Sequence, residues 1–334
     1  MRRYATIIGT GSYLPETVLT NKDLERIVET TDEWIVSMTG IRERRVVADG
    51  ESTSDLAARA ARIAMQRADV GPDDIDMLFL GTTSPDYVMP STACMTQAKL
   101  GLTCPAVDLM AACTSFIYAL QSAAAAIESG RANTVLVIGA EALTRLVDFT
   151  DRSTCVLFGD GAGAVVLAAS EEPGVEAIVL GADGLGAEQL IIPAGGSTTP
   201  TTPEGLKAHD QYVKMNGREV FKFAVRIIPR ATKEALAESG HDLSELRWLV
   251  PHQANQRIIS TIEERLGLDD DHVYMNLEQT GNTSAASIPL ALDDLYTSGR
   301  LAPGDLLALV GFGAGLTWGA AVVRWTLATP NEEA

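Results

Sequence analysis

Residues 105–139, PAVDLMAACTSFIYALQSAAAAIESGRANTVLVIG, read as strand, turn, helix and strand. Pro105 to Leu109 is a strand, and Phe116 to Ser129 is an Ala-rich helix closed by Gly130. Val135 to Gly139 carries no polar alternation, which predicts a strand buried on both faces. Upstream, Ser54 to Ala68 has helical amphipathic spacing, Met77 to Leu80 is a short apolar strand, and Ser91 to Leu100 is a helix stopped by Gly101. Short apolar runs alternating with longer helical ones predict an α/β fold.

The second half repeats this order. Arg218 to Glu238 is helical with a break allowed at Pro229, Leu246 to Val250 a strand, and Asn255 to Leu266 a helix. His272 to Asn276 is a strand, Ser284 to Tyr296 a helix, and Leu306 to Val310 a strand. Arg247 follows Asp76 by 171 residues, Asn282 follows Cys113 by 169, and Gly311 follows Gly139 by 172. Near-constant offsets point to an internal duplication, with halves at 1–172 and 173–334. Gly195 to Pro203 is the most loop-like stretch, an excursion inside the second half.

The chain has 334 residues, 46% hydrophobic, and a net charge of −18, which opposes nucleic acid or an anionic membrane as main partner. Cys94, Cys104, Cys113 and Cys155 form no CxxC pair, so no disulfide scaffold or metal site is expected and a reducing cytoplasm suits them. Met1 to Gly9 reads as a first strand, its apolar stretch being too short for a signal peptide, and no apolar run reaches membrane-spanning length.

Cys113 stands at the entrance to a helix, where the dipole and free N–H groups favour a thiolate nucleophile. Cys94 and Cys155 have ordinary settings, in a helix and a strand, and Cys104 precedes Pro105 at a strand entrance. His252 ends a buried strand, the position where α/β active sites collect, whereas His209, His241 and His272 read as solvated. Asn282, taken as the counterpart of Cys113 in the duplicate, would reach the same seam, so that a Cys, a His and an Asn converge. Gly9–Gly11, Gly159–Gly163 and Gly311–Gly315 open no helix, which excludes a dinucleotide fingerprint; they read as tight turns beside the active centre. Between Gly205 and Ala235 seven Lys/Arg oppose three acids, a local +4, with Arg218, Lys222 and Arg226 at i, i+4 spacing on one helix face. That stripe suits an acidic or phosphorylated partner.

The chain resembles the β-ketoacyl–acyl-carrier-protein synthase III family from about Tyr4 to Trp325. The resemblance rests on Thr31–Val36 with Thr39–Arg44, Phe158–Ala164, Lys214–Gly217, Val250–Asn255 and Gly281–Ser287. It implies the thiolase fold, an internally duplicated five-layered αβαβα sandwich, usually a homodimer, and a triad of Cys113, His252 and Asn282. It further implies an acyl-CoA primer carried on Cys113 and malonyl-carrier protein as extender, with no other cofactor. The backbone N–H groups of Cys113 and Ala314 would form the oxyanion hole. Trp34 and Arg152 would sandwich the adenine of CoA, Phe221, Ala254 and Asn255 would line the pantetheine passage, and Met89 would wall a partner's primer pocket. Carrier-protein docking would fall on Gln253, Ala254, Asn255, Gln256 and Arg257, with Lys222 nearby. Met38 stands where many members carry Arg, Ser115 where Gly is common, and Ala314 replaces a frequent Gly. A condensing enzyme of a specialised polyketide, quinolone or long-chain acyl pathway is the alternative reading.

Overall fold

The computed structural model describes residues 3–329; Met1 and Arg2 of the expected first strand and 330–334 at the end of the second half lie outside the described residues. The first sheet orders its strands Tyr4–Tyr13, Gly161–Ser170, Thr134–Glu141, Met77–Gly81 and Ala106–Leu109. The second orders Val175–Ala182, Thr317–Arg324, Leu306–Gly313 and Trp248–Pro251. Four strands of the first sheet match the four of the second in order, including the parallel pair Met77–Gly81 with Thr134–Glu141 and its mirror, Trp248–Pro251 with Leu306–Gly313, while Ala106–Leu109 has no counterpart strand.

The expected strand His272–Asn276 is the one that does not form. It is reduced to a single bridge, Leu249 to Val273. The Gln253 side chain takes the backbone positions a strand ladder would need: its Nε2 donates to Tyr274 O at 3.1 Å and its Oε1 accepts from Asn276 N at 3.0 Å.

Helices Ser115–Glu128 and Ser287–Thr297 lie between the sheets. Phe116, Ile117, Leu120, Ile288 and Leu292 pack with Val135, Val137 and Val165 of the first sheet and Val250, Leu307 and Leu309 of the second. Thr53–Arg67 and Thr92–Leu100 cover the far face of the first sheet, and Gly217–Ser239 and Gln256–Leu266 that of the second. The result is five layers, α-β-α-β-α. Uniformly apolar strands follow directly, because each sheet has helices on both faces.

The break the sequence allowed at Pro229 does not occur: the helix Gly217–Ser239 runs through it. A mid-helix proline costs roughly 3 kcal/mol through a lost hydrogen bond and a clash. Val220, Phe223, Val225, Ile227, Ile228 and Leu236 are buried on this helix, each contributing about 1.5–3 kcal/mol, so packing outweighs the defect. The Val225 carbonyl that Pro229 leaves without a partner accepts from Arg265 Nη1 at 2.8 Å.

Gly9 and Gly11 form no turn; they lie inside the first strand, and a Cβ on either would stand 2.4 Å from the Ala64 or Ala60 carbonyl of the covering helix. Close helix-to-sheet approach is what demands glycine there. Gly161, Gly163, Gly311 and Gly313 are likewise within strands. Cys155 closes the short helix Arg152–Cys155 and is not in a strand.

Short turns Ala112–Thr114 and Ser284–Ala286 lead into the two central helices, and their first residues share the left-handed region, with φ 50° at Ala112 and 46° at Ser284. Ala112 and Ser284, Ser115 and Ser287, Thr134 and Leu306, and Glu141 and Gly313 are all 172 residues apart. On this register the counterpart of Cys113 is Ala285, and Asn282 matches Met110. The expected equivalence of Cys113 and Asn282 is therefore off by three residues.

Candidate active site

Cys113 occupies the turn before the central helix Ser115–Glu128 and is buried. Ser115 Oγ donates to Ala112 O at 2.7 Å and accepts from Ala111 N at 2.8 Å, closing the turn around the left-handed Ala112. Ser115 thus has a structural task here. Thr317 of the second half donates to Ala111 O at 2.9 Å and to Ala314 O at 3.1 Å, binding the Ala314 turn to the nucleophile turn. Burial pushes the Cys113 thiol up to about 12, opposed by a hydrogen bond with Ser284 and reinforced by the Glu141 charge. The turn's N–H groups favour the thiolate, as the sequence suggested, and desolvation opposes them.

His252 follows the strand Trp248–Pro251, and its N–H donates to Val310 O at 2.7 Å. Its Nδ1 lies 2.7 Å from Ser287 Oγ, and its ring packs edge-on against Phe312 at 5.5 Å. Burial pushes the imidazole down to about 3, so the ring is neutral at ordinary pH.

Asn282 is locked by its backbone to the first half. Its N–H donates to Leu157 O at 2.8 Å, and its carbonyl accepts from Gly159 N at 3.0 Å. Its side-chain Oδ1 accepts from the Ser284 N–H at 2.9 Å, which identifies the oxygen end of the amide and turns the NH₂ end to the cavity.

Cys113, His252 and Asn282 line one cavity of about 590 Å³. Its walls are mostly apolar, including Leu157, Phe158, Val220, Phe221, Ile258 and Phe312, and its mouth carries Trp34, Met38, Arg218, Lys222, Asn255 and Arg257. Arg152 lies over Trp34 with its guanidinium carbon 4.8 Å from the ring centroid, the two faces stacked on each other. A flat base entering between them must part them by one ring thickness. Lys222 is paired with Glu219 at 2.6 Å, and Arg257 Nη1 reaches Met38 Sδ at 3.6 Å.

Most expected site residues meet here, and one stands apart from its assigned place. Gln253 is fully buried, donating to Pro251 O and Tyr274 O, so it scaffolds the wall and offers no docking surface. Ala254 is buried against the passage, while Gln256 is exposed. Met89 is 86% exposed and outside this cavity, where it could wall only a pocket of another copy. The cavity wall beside the nucleophile is Gly313, with Ala314 next in the chain. A Cβ at Gly313 would lie 2.7 Å from Cys113 N, so its bareness keeps that N–H approachable. Gly313, Ser284 and Ser287 escaped the sequence reading, although Ser287 sits one helical turn into a stretch already singled out. Of the histidines expected to be solvated, His241 is held between Glu176 at 2.7 Å and Glu245 at 3.1 Å.

Two family models match the chain: one described as 3-oxoacyl-[acyl-carrier-protein] synthase III over residues 107–184, and one as the C terminal of the same synthase over 236–325. A β-ketoacyl-[acyl-carrier-protein] synthase III of Xanthomonas axonopodis pv. citri is 53% identical over 325 residues, covering 97% of this chain and 99% of that protein. The crystal structure of the synthase III from Thermus thermophilus superposes with TM-score 0.90 at 47% identity, over 96% of this chain and 99% of the other. A priming β-ketosynthase from a polyketide pathway superposes with TM-score 0.92 at 36% identity, over 98% of both chains. With its sandwich fold, its Cys–His–Asn cavity and near full-length identity of this order, the chain belongs to the 3-oxoacyl-[acyl-carrier-protein] synthase III family.

Proposed function

We propose that this acyltransferase joins an acyl-CoA primer to malonyl-carrier protein by decarboxylative condensation, giving a 3-oxoacyl-carrier protein that starts fatty-acid synthesis. The observation that carries the reading is the presence of Cys113, His252 and Asn282 on one apolar cavity with a cationic mouth. Cys113 sulfur attacks the thioester carbonyl of the primer, the carbon–sulfur bond to CoA breaks, and the CoA sulfur leaves with the thiol proton. The carbonyl oxygen, negative in the transition state, is met by the Cys113 N–H with Ala314 as second donor.

Malonyl-carrier protein then enters. In this scheme the Ser287 hydroxyl, 2.7 Å from His252 Nδ1, donates to it, which leaves the ring proton on Nε2 to donate, with the Asn282 NH₂, to the malonyl thioester oxygen. Two neutral donors stabilise the enolate that forms as carbon dioxide leaves. Neutrality of His252 follows from its burial. The enolate carbon attacks the acyl group, a carbon–carbon bond forms, and Cys113 departs to be reprotonated. Acyl-CoA and malonyl-carrier protein are the only small-molecule and carrier substrates in this scheme, which calls for no metal or other cofactor.

Trp34 and Arg152 hold the adenine, and Phe221, Ala254 and Asn255 line the pantetheine arm. A homodimer in the cytoplasm fits the remaining features. Among the described residues no helix is long and apolar enough to cross a membrane. Ala106–Leu109 is the edge strand of its sheet, and Val107, Met110, Tyr87, Val88 and Met89 beside it are exposed. An uncovered strand edge with an apolar surround suits a second copy. The likeness to a polyketide priming synthase keeps a specialised primer as the second reading.

A panel of acyl-CoAs with malonyl-carrier protein tests the function: 3-oxoacyl-carrier protein should form from a short primer, and its absence across the panel rejects the reading. Carrier docking rests on exposed Lys222 and Arg257. Lys222→Glu with Arg257→Glu should weaken malonyl-carrier use about 30-fold, seen as KM, while acylation from acyl-CoA stays within about threefold. Equal loss in both steps would place these cations on CoA and off the carrier protein.

A further inference from the structure

Glu141 ends the strand Thr134–Glu141 and is fully buried. The mechanism above makes no use of it. Its carboxylate accepts from Thr83 N at 3.1 Å, Thr83 Oγ1 at 2.8 Å, Ser84 N at 3.1 Å, Ser84 Oγ at 2.6 Å and Thr82 Oγ1 at 3.2 Å. Across the seam between the halves it also accepts from the Ala285 N–H at 3.4 Å. Every donor is a neutral N–H or O–H. A carboxylate without a cation in a dry interior is costly and needs such complete hydrogen bonding.

Its position has a meaning in the duplication. Glu141 is the counterpart of Gly313, and Ala285 that of Cys113, both at a spacing of 172 residues. In one copy the bare Gly313 leaves the Cys113 N–H open to a substrate oxygen. In the other, a carboxylate grown from the same strand position fills the equivalent place and takes the equivalent N–H. The equivalent turn of the second copy is occupied by a carboxyl group of the protein itself.

That turn bears on the chemistry. Ser284, non-glycine at φ 46°, gives its N–H to Asn282 Oδ1, and it stands one residue before Ala285, whose N–H Glu141 holds. A left-handed serine persists only where its surroundings hold it. We propose that Glu141 is a positioning residue for the condensation step: by holding the Ala285 N–H it keeps the Ser284 turn in place and the Asn282 amide aimed into the cavity. The inference rests on the role given to Asn282 above.

The test measures two half-reactions separately, acylation of the enzyme by acetyl-CoA (or the fastest primer of the panel) and condensation of preloaded acyl-enzyme with malonyl-carrier protein. In Glu141→Gln an NH₂ group replaces one acceptor oxygen among N–H donors. Acylation should stay within about threefold and condensation fall about 30-fold. Asn282→Ala should spare acylation and impair condensation on its own, and adding Glu141→Gln to it should cost condensation nothing further, since both act through one amide. Equal loss in both half-reactions, or full additivity in the double variant, overturns the positioning role. If Asn282→Ala leaves condensation intact, the reading of the triad fails first. Should Glu141→Gln not accumulate folded, Thr83→Ala removes one donor to the carboxylate: about threefold slower condensation with unchanged acylation supports the proposal, and unchanged condensation refutes it.

Discussion

Cys113→Ala should take up no acyl group from any acyl-CoA, so that its intact mass stays that of the bare chain after incubation. The loss should be on the order of 10⁴-fold or more, because the covalent bond has no substitute in the cavity. The variant should fold normally: it removes one sulfur from a buried turn whose shape is held by Ser115, Thr114 and Thr317. It should also retain slow decarboxylation of malonyl-carrier protein, since His252 and Asn282 are untouched. An acyl adduct on the variant, for instance on exposed Cys94, would sink the nucleophile reading. Burial adds a pH signature to the wild-type protein. With the thiol at about 12, the thiolate fraction rises about tenfold per pH unit through the neutral range. Iodoacetamide should therefore label Cys113 of the ligand-free protein faster as pH rises from 6 to 9, without a plateau; a plateau near pH 7 would mean the thiolate is already formed.

Gly313→Ala should slow acylation and condensation together by about 10²–10³-fold, the usual loss when one oxyanion donor is removed. The added Cβ would lie 2.7 Å from Cys113 N and 3.2 Å from both Ala111 O and Ala112 Cβ. All three neighbours belong to the nucleophile turn, two of them backbone atoms, so either the turn or the strand end must retreat. In both cases the Cys113 N–H no longer meets the carbonyl oxygen as charge develops on it. Gly311→Ala is the control, because its Cβ would meet side-chain carbons at 3.4–3.5 Å, an ordinary contact. Its rates should stay within about tenfold of wild type. A Gly313→Ala enzyme within fivefold of wild type, with unchanged thermal stability, would remove this N–H from the mechanism.

The two predictions draw on different sources. The importance of Cys113 was legible in the chain, where a thiol stands between a strand and an Ala-rich helix. The importance of Gly313 was not: Gly311-Phe312-Gly313 reads as one more glycine-rich turn, and only the packing of the strand end against Cys113 separates Gly313 from its neighbour. The same holds along the rest of the site. The stripe Arg218, Lys222, Arg226 emerged from helical spacing and is exposed on one helix as expected. Gln253, two residues from the strand end, looked like surface and proved to be the side chain that replaces a strand ladder. The helix continues through Pro229 while Arg265, from another helix, takes the freed carbonyl, a partner no local pattern announces.

The sequence by itself determined the alternation of strands and helices, the duplication, the candidate nucleophile and the basic stripe. The duplication follows from repeated offsets between the halves, and the others from periodicity or residue chemistry within a few turns of chain. The tertiary structure alone decided the register of the duplication, in which Cys113 faces Ala285 and Asn282 falls three residues aside. It decided the burial that pushes the Cys113 thiol up and the place of Glu141 opposite Gly313. Those properties depend on which atoms from segments about half a chain apart share one dry interior, where a difference of one side chain between two equivalent turns leaves one open to substrate and closes the other.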